Sequence, residues 1–98
     1  MKFEWDNKKS KSNLQKHNIS FEEAKTVFYD EEALFIHDHG HSDEESRFLL
    51  LGLSSQIREL VVSHCDRIIE NDVEIIRIIS ARKASPDERA KYWSKRRK

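Results

Sequence analysis

Three apolar runs joined by short links are the feature that most restricts the fold of this chain. They cover residues 47–53, 57–64 and 73–81, and each has the length of one strand. The first link, residues 54–56, is short enough for a hairpin turn. Consecutive strands on short links pair antiparallel, because a parallel pair needs a long crossover. With a further strand-like run at residues 33–37, the pattern predicts an antiparallel sheet of about four strands.

Helix signals lie on both sides of these strands. The polar segment at residues 7–17 predicts an exposed helix that ends at Asn18, since Asn tolerates the left-handed conformation. Ser20 and Glu23 have the spacing of a capping box, so a second helix begins there and runs to about Tyr29. Ser85 starts a third helix with the same signal. This order indicates an α+β fold with two N-terminal helices and one C-terminal helix, all on one face of the sheet.

Length and composition limit what the chain can be. Its 98 residues suffice for one hydrophobic core, so we expect a single domain over residues 1–98. One cysteine, Cys65, excludes an internal disulfide. Residues 1–11 are charged and lack the apolar stretch of a secretory signal, and no run reaches the length of a membrane span. We therefore expect a cytoplasmic protein.

Charge is balanced overall but polarised along the sequence. The chain has 18 basic and 18 acidic residues, which argues against a protein that coats nucleic acid non-specifically. The stretch from Ile76 to the end is nevertheless strongly basic, and only Asp87 and Glu88 oppose its cations. Acidic residues concentrate earlier, at residues 22–32 and 43–45. The C-terminal third is therefore where an anionic ligand is expected.

Residues 77–84 are the segment most informative about chemistry. Arg82 and Lys83 lie where the last strand stops, beside the N-terminus of the third helix. The free amides and the positive dipole end of a helix N-terminus favour an anion, so these cations predict a phosphate site. The alternative is that they are strand-end charges held in solvent. Strict alternation places Arg77 and Arg82 on opposite faces of the strand.

A second group follows the preceding strand and comprises His64, Asp66 and Arg67. In a simple hairpin these residues lie at the opposite end of the strand pair from Arg82. A site that combines Arg67 with Arg82 therefore requires the intervening loop to fold back over the sheet. A lone histidine at a strand end is more often structural than catalytic.

The polar loop at residues 37–45 allows two further interpretations. His37, His39 and His41 stand beside carboxylates, which are side chains that bind zinc. Their spacing matches no known metal signature, so a metal-dependent hydrolase is the last-ranked hypothesis and no cofactor is expected. Alternatively, His41, Glu45 and Arg47 form an acid–base and phosphate-binding group. The alternative to both interpretations is a solvated acidic loop.

RNA cleavage is a reaction that such a chain can perform without a cofactor. RNA carries its own nucleophile, the 2′-hydroxyl. The protein has to align it, stabilise negative charge on the transferring phosphate and move two protons. Arginine provides that stabilisation because it pairs bidentately with phosphate oxygens. The sequence has no nucleophile elbow, which argues against nucleophilic catalysis by a protein side chain. It has no phosphate-binding glycine loop, which argues against nucleotide-cofactor chemistry.

Several short motifs together resemble the BrnT toxins of bacterial toxin–antitoxin pairs. The motifs, in the family's order, are Phe3-Glu4-Trp5-Asp6, Asn13-Leu14-Gln15-Lys16-His17, Ile19-Ser20-Phe21-Glu22-Glu23-Ala24, Glu45-Ser46-Arg47-Phe48 and Arg77-Ile78-Ile79-Ser80-Ala81-Arg82. The resemblance implies a RelE-like fold and a metal-independent endoribonuclease that halts translation. It also implies a BrnA-type antitoxin as partner, in a 2:2 complex that reaches operator DNA only through the antitoxin.

The resemblance also bears on individual residues, because it matches Arg67 and Arg82 to active-site positions of the family. From the matches and the placements above, two sets are assigned. The catalytic set is Arg67, Arg82, Arg77, His64 and Glu45, and the RNA-binding set is Arg47, Lys83 and Lys16. Ser46 departs from the family, which usually has an acidic residue there. With the zero net charge, Ser46 leaves a second hypothesis open: an inactive toxin homologue that only binds an antitoxin-like partner.

Overall fold

The computed structural model describes residues 1–36, 47–65 and 68–96, and within them the chain forms three α-helices and a mixed sheet of six strands. The elements in chain order are β1 (Lys2–Glu4), α1 (Asn7–His17), α2 (Phe21–Thr26), β2 (Leu34–Ile36), β3 (Arg47–Leu53), β4 (Glu59–Cys65), β5 (Ile68–Glu70), β6 (Val73–Lys83) and α3 (Pro86–Arg96). The α+β class is the one predicted from the sequence. None of the helices in these ranges is long and apolar enough to cross a membrane.

The sheet has more strands than the four predicted, and it is not purely antiparallel. Its order is β1-β6-β4-β3-β2, and β5 pairs with β6 beyond the end of β4. The first strand, β1, runs parallel to β6, with Phe3 opposite Ile76. Both unpredicted strands, β1 and β5, are three residues long and therefore too short to show alternation.

The link predicted at residues 66–72 contains one of these strands. β5 turns into β6 through Asn71 and Asp72, whose φ angles are 52° and 65°. Positive φ at both central residues is the geometry of a type I′ hairpin turn, which Asn and Asp tolerate. β4 and β5 therefore lie end to end along the same side of β6.

The N-terminal helices differ in detail from those predicted. The strand β1 precedes them, and α2 ends at Thr26 before a 3-10 turn over Val27–Tyr29. Asn18 ends α1 with φ 57°, as predicted. The Ser20 hydroxyl accepts a hydrogen bond from the backbone amide of Glu23 at 3.0 Å, which confirms half of the capping box.

The other half of that capping box does not form. The carboxylate of Glu23 accepts a hydrogen bond from the Ser54 hydroxyl at 2.6 Å and forms an ion pair with Arg58, instead of accepting from the backbone amide of Ser20. The Glu23 side chain is only 2% exposed, so its charge needs a strong partner. The Glu23 carboxylate pairs with Arg58 because a charge-assisted hydrogen bond to a guanidinium is stronger than a hydrogen bond to a backbone amide.

Helices cover both faces of the sheet, so the prediction that they share one face is wrong. Neighbouring residues of a strand point to opposite sides, and Val61 and Val62 of β4 do so here. Val62 packs in a core with Phe21 and other residues around α2. Val61 packs in a separate core with Tyr92 of α3. We call the two sides the α2 face and the α3 face.

The helix α3 is fixed over one end of the α3 face by polar contacts. The buried Tyr92 donates from its hydroxyl to Oδ2 of Asp30 at 2.5 Å, and the same oxygen accepts from the Leu53 amide at 2.8 Å. Gly52 lets the turn that carries Asp30 lie close to β3, because a Cβ at residue 52 would lie 2.9 Å from Cγ1 of Val27 and 3.1 Å from Oδ2 of Asp30. At the other end of the α3 face, among the residues that the structure describes, α1 with Ile79 and Ser80 lines the surface, and no residue of α3 joins them.

Candidate functional site

A β-bulge in β6 changes which side chains share a face. Ser63 of β4 lies opposite Ser80, but the next residue, His64, lies opposite Ile78. Ile79 is therefore one extra residue in β6, inserted between two regular stretches of pairing. A bulge of this kind reverses the alternation of the strand on its far side.

The bulge brings Arg77 and Arg82 to the same face, which corrects the prediction of opposite faces. Ile78 and Ala81 are three residues apart, yet both pack in the core of the α2 face. Arg77, next to Ile78, and Arg82, next to Ala81, therefore both point to the α3 face. Roughly 15 Å of strand separates their backbones.

The two arginines are held by different carboxylates. Arg77 donates to Oε2 of Glu4, on the neighbouring strand β1, at 2.8 Å, and both side chains of this pair are nearly half exposed. Arg82 makes a bidentate pair with Glu88 of α3, at 2.7 Å from Nη1 to Oε1 and 2.9 Å from Nη2 to Oε2. The bidentate pair fixes the plane of the guanidinium, whereas an exposed single contact does not.

Glu88 joins Arg82 to the start of α3. Its carboxylate accepts from the Ser85 amide at 2.8 Å, and the Ser85 hydroxyl accepts from the Glu88 amide at 3.2 Å, which confirms the predicted capping box. The Arg82 guanidinium is the main reason why the pKa of Glu88 falls to about 2. Arg82 is still 43% exposed, so an anion can reach its guanidinium from the solvent side.

A concavity of about 330 Å³ lies between α1 and the part of the α3 face that α3 does not cover. We call it the α1 groove. Its polar lining comprises Lys9, Ser12, Asn13, Lys16 and His17 of α1 with Arg47 and Ser80 of the sheet. Arg47 points into it because it alternates with residues of the α3-face core along β3. The structure thus brings together two predicted RNA-binding residues, Lys16 and Arg47.

A buried asparagine holds α1 in position beside this groove. The Asn13 amide nitrogen donates to the carbonyl of Ile19 at 3.0 Å, and its oxygen accepts from the Ala81 amide at 3.0 Å. The side chain therefore satisfies a backbone donor on the edge of β6 that would otherwise lack a strand partner. This contact aligns the basic side of α1 with the open part of the α3 face.

The structure separates His64 from the arginines. His64 is 4% exposed and lies on the α2 face, where its ring meets Phe28 at 4.9 Å and Phe48 at 6.0 Å between centroids. Its Nδ1 is 3.1 Å from the carbonyl oxygen of Cys65. Such an aromatic enclosure is the environment of a core histidine, on the side of the sheet opposite Arg82.

The other predicted site residues fall into two groups. Lys83 lies opposite Leu60 and so belongs to the α2 side of β6, away from its neighbour Arg82. Arg67, Glu45 and the loop with His37, His39 and His41 lie outside the described residues. Among the residues that are described, no group of three or more His, Cys, Asp or Glu side chains is close enough to hold a metal ion.

Two features of this surface were missed from the sequence. Lys9 and Ser12 join Lys16 in the groove, and their i, i+3, i+7 spacing on a helix without acidic residues was the available signal. The second feature is the pairing of Arg82 with Glu88. The sequence showed only that Glu88 belongs to a capping box, and a capping box does not indicate a contact between a helix and a strand.

The chain matches a protein family by sequence and a solved structure by fold. A family model described as ribonuclease toxin, BrnT, of type II toxin–antitoxin system matches residues 5–88. The crystal structure of the Brucella abortus ribonuclease toxin BrnT superposes with a TM-score of 0.62 at 22% identity, covering 87% of this chain and 97% of that chain. A search of curated protein sequences found no significant match. The structural likeness shows a shared fold.

Proposed function

Because this chain belongs to the BrnT family of ribonuclease toxins from type II toxin–antitoxin systems, we propose that it is an endoribonuclease that cleaves RNA without a metal ion and so inhibits translation. The observation that carries this proposal is the shared placement of Arg47, Arg77 and Arg82 on the α3 face, next to the α1 groove. A face with three arginines and a basic groove suits a polyanionic substrate.

Arg82 is the residue we assign to transition-state stabilisation. Attack by the ribose 2′-hydroxyl puts negative charge on the phosphate oxygens, and a fixed guanidinium lowers the energy of that charge. The bidentate pair with Glu88 orients Arg82 before the substrate arrives, so little reorganisation is needed during the reaction. Arg77 and Arg47 then bind the phosphates on either side of the cleaved bond.

The proposed partner is a BrnA-type antitoxin, as family membership implies an antitoxin of some kind. An antitoxin that covers the α3 face would block the arginines and the groove together. We propose a 2:2 complex in the cytoplasm that contacts operator DNA through the antitoxin alone. Acidic segments of the antitoxin are the expected counterpart of this basic surface.

A second candidate function, a non-catalytic antitoxin-binding module, is favoured by a specific observation. Arg77 and Arg82 both form ion pairs within the protein, with Glu4 and Glu88 respectively. The same two ion pairs would be present if Arg77 served only to hold β1 against β6 and Arg82 served only to hold α3 against β6. Ser46, at a position where the family usually has an acidic residue, is compatible with this alternative.

Induced expression in a bacterial host distinguishes the two functions. The ribonuclease should arrest growth and fragment cellular RNA, and co-expression of its antitoxin should restore growth, because the complex hides the α3 face. The Arg82→Ala variant should allow growth, whereas Arg89→Ala, at an exposed position on α3, should remain toxic. Unimpaired growth with intact RNA, from protein shown to be folded, would instead support the binding module.

A further inference from the structure

The helix α1 is basic along its whole length and carries no acidic residue. It contains Lys8, Lys9, Lys11, Lys16 and His17 within Asn7–His17. Residues at i, i+3 and i+7 lie on one stripe of a helix, so Lys9, Ser12 and Lys16 form a row of about 10 Å. That row is the side of α1 that lines the groove, whereas Lys8 and Lys11 point elsewhere.

The opposite wall of the groove leads directly to Arg82. Ser80 lines the groove, and Ser80 and Arg82 share the α3 face of β6. Two residues of a strand span about 7 Å, so a ligand strand in the groove reaches Arg82 without leaving the surface. Arg47 adds a guanidinium on the same wall.

The composition of the groove favours a nucleic-acid backbone over a protein segment. Protein interfaces have an apolar centre from which charged residues are depleted. Of the described residues that line this groove, Ile79 alone is apolar, none is acidic, and the rest are basic or polar donors. Contacts to phosphate and sugar come from such lysine, arginine and hydroxyl side chains.

We infer that the α1 groove is a phosphate-binding subsite, which holds the single-stranded RNA backbone next to the bond that is cleaved at Arg82. Lys9, Lys16 and Arg47 contact successive phosphates, and Ser12 and Ser80 donate hydrogen bonds to them. This inference rests on the proposed ribonuclease function and extends it to the binding of the flanking substrate.

Salt-dependent binding of an RNA analogue tests the subsite. The probe is a fluorescein-labelled 2′-O-methyl oligonucleotide, which binds but lacks the attacking hydroxyl. The Lys9→Gln/Lys16→Gln variant should lower the slope of log affinity against log salt by about 1.4, since each phosphate contact on a single strand contributes about 0.7. At about 0.1 M salt this corresponds to a loss of roughly 25-fold in affinity.

The matched control is Lys8→Gln/Lys11→Gln, which removes the same charge from exposed positions of the same helix. The subsite predicts a slope close to that of the unaltered protein for this control. Equal losses in both double variants would show a general charge effect and overturn the inference. So would a groove variant that binds the probe normally but loses its antitoxin, since the groove would then be a protein interface.

Cleavage assays on the same variants separate this inference from the function on which it rests. If the unaltered protein binds the probe through the groove but leaves RNA intact, the ribonuclease proposal fails and the phosphate site stands. If it cleaves RNA and the groove variant binds and cleaves as well as the control, the subsite fails and the ribonuclease stands. Absence of both binding and cleavage would overturn the two together.

Discussion

Arg82→Ala should lower the single-turnover rate of RNA cleavage by about 10²–10³-fold, the usual cost of removing one preorganised donor from a transition state. The loss should appear in the rate at saturating protein rather than in RNA affinity, because Arg82 acts on charge that develops during the reaction. Arg82→Lys should recover only part of the rate, since an ammonium cannot make the bidentate contact that a guanidinium makes.

Glu88→Gln is the control that separates catalysis from structure. It breaks the same ion pair from the α3 side and leaves the guanidinium in place. If Arg82 serves only to hold α3, then Arg82→Ala and Glu88→Gln will lower activity and stability to the same small extent. The proposed role requires Arg82→Ala to be at least ten times slower than Glu88→Gln in a protein of equal folded fraction.

Glu23→Gln should destabilise the fold by about 2–3 kcal/mol. Breaking a fully buried ion pair costs about 3–5 kcal/mol, and the 26% exposure of Arg58 reduces that cost because water can solvate the remaining cation. The same carboxylate also accepts from Ser54, so α2 and the β3–β4 turn lose their connection. Urea denaturation followed by circular dichroism measures the difference, which is a large part of the stability of a small protein.

The matched control for this variant is Glu22→Gln, at an exposed position in the same turn of α2. Both substitutions remove one negative charge from the N-terminal turn, so the helix-dipole effect is the same. Equal destabilisation by the two variants would mean that the ion pair with Arg58 contributes nothing beyond that effect.

The ionisation of Glu23 should make the free energy of unfolding depend on pH. The Arg58 guanidinium lowers the pKa of the Glu23 carboxyl below its usual 4.5, against the opposing effect of burial. The contribution of Glu23 is therefore present above pH 4.5 and is lost as the pH falls through the lower pKa of the folded state. Stability of Glu23→Gln should consequently fall less steeply below pH 4.5 than that of the unaltered protein.

Local signals explain what the sequence predicted correctly. Asn18 and the Ser85–Glu88 capping box lie where expected, because these contacts form between residues close in the chain. The strand at residues 47–53 matches β3 because its apolar run is as long as the strand. Only half of the capping box at Ser20 and Glu23 was predicted correctly, because the Glu23 carboxylate pairs with a residue distant in the chain, Arg58.

Long-range pairing explains what the sequence did not predict. Nothing local distinguishes the three residues of β1 from a loop, and only β6 makes them a strand. The bulge at Ile79 depends likewise on the register of β4, yet it decides that Arg77 and Arg82 share a face. His64 was assigned from its position at a strand end, whereas its aromatic neighbours come from separate parts of the chain.

Cleavage of two oligonucleotides that differ by one 2′-hydroxyl tests the endoribonuclease assignment most directly. One oligonucleotide is all ribose, and the other carries a single deoxyribose at the nucleotide 5′ to the cut. The purified protein is incubated with each oligonucleotide in the presence of a chelator. We predict that the all-ribose strand is cut, leaving a 2′,3′-cyclic or 3′-phosphate, and that the deoxy strand stays intact at that position. Cleavage of both strands there at equal rates, or of neither by folded protein, would contradict the assignment.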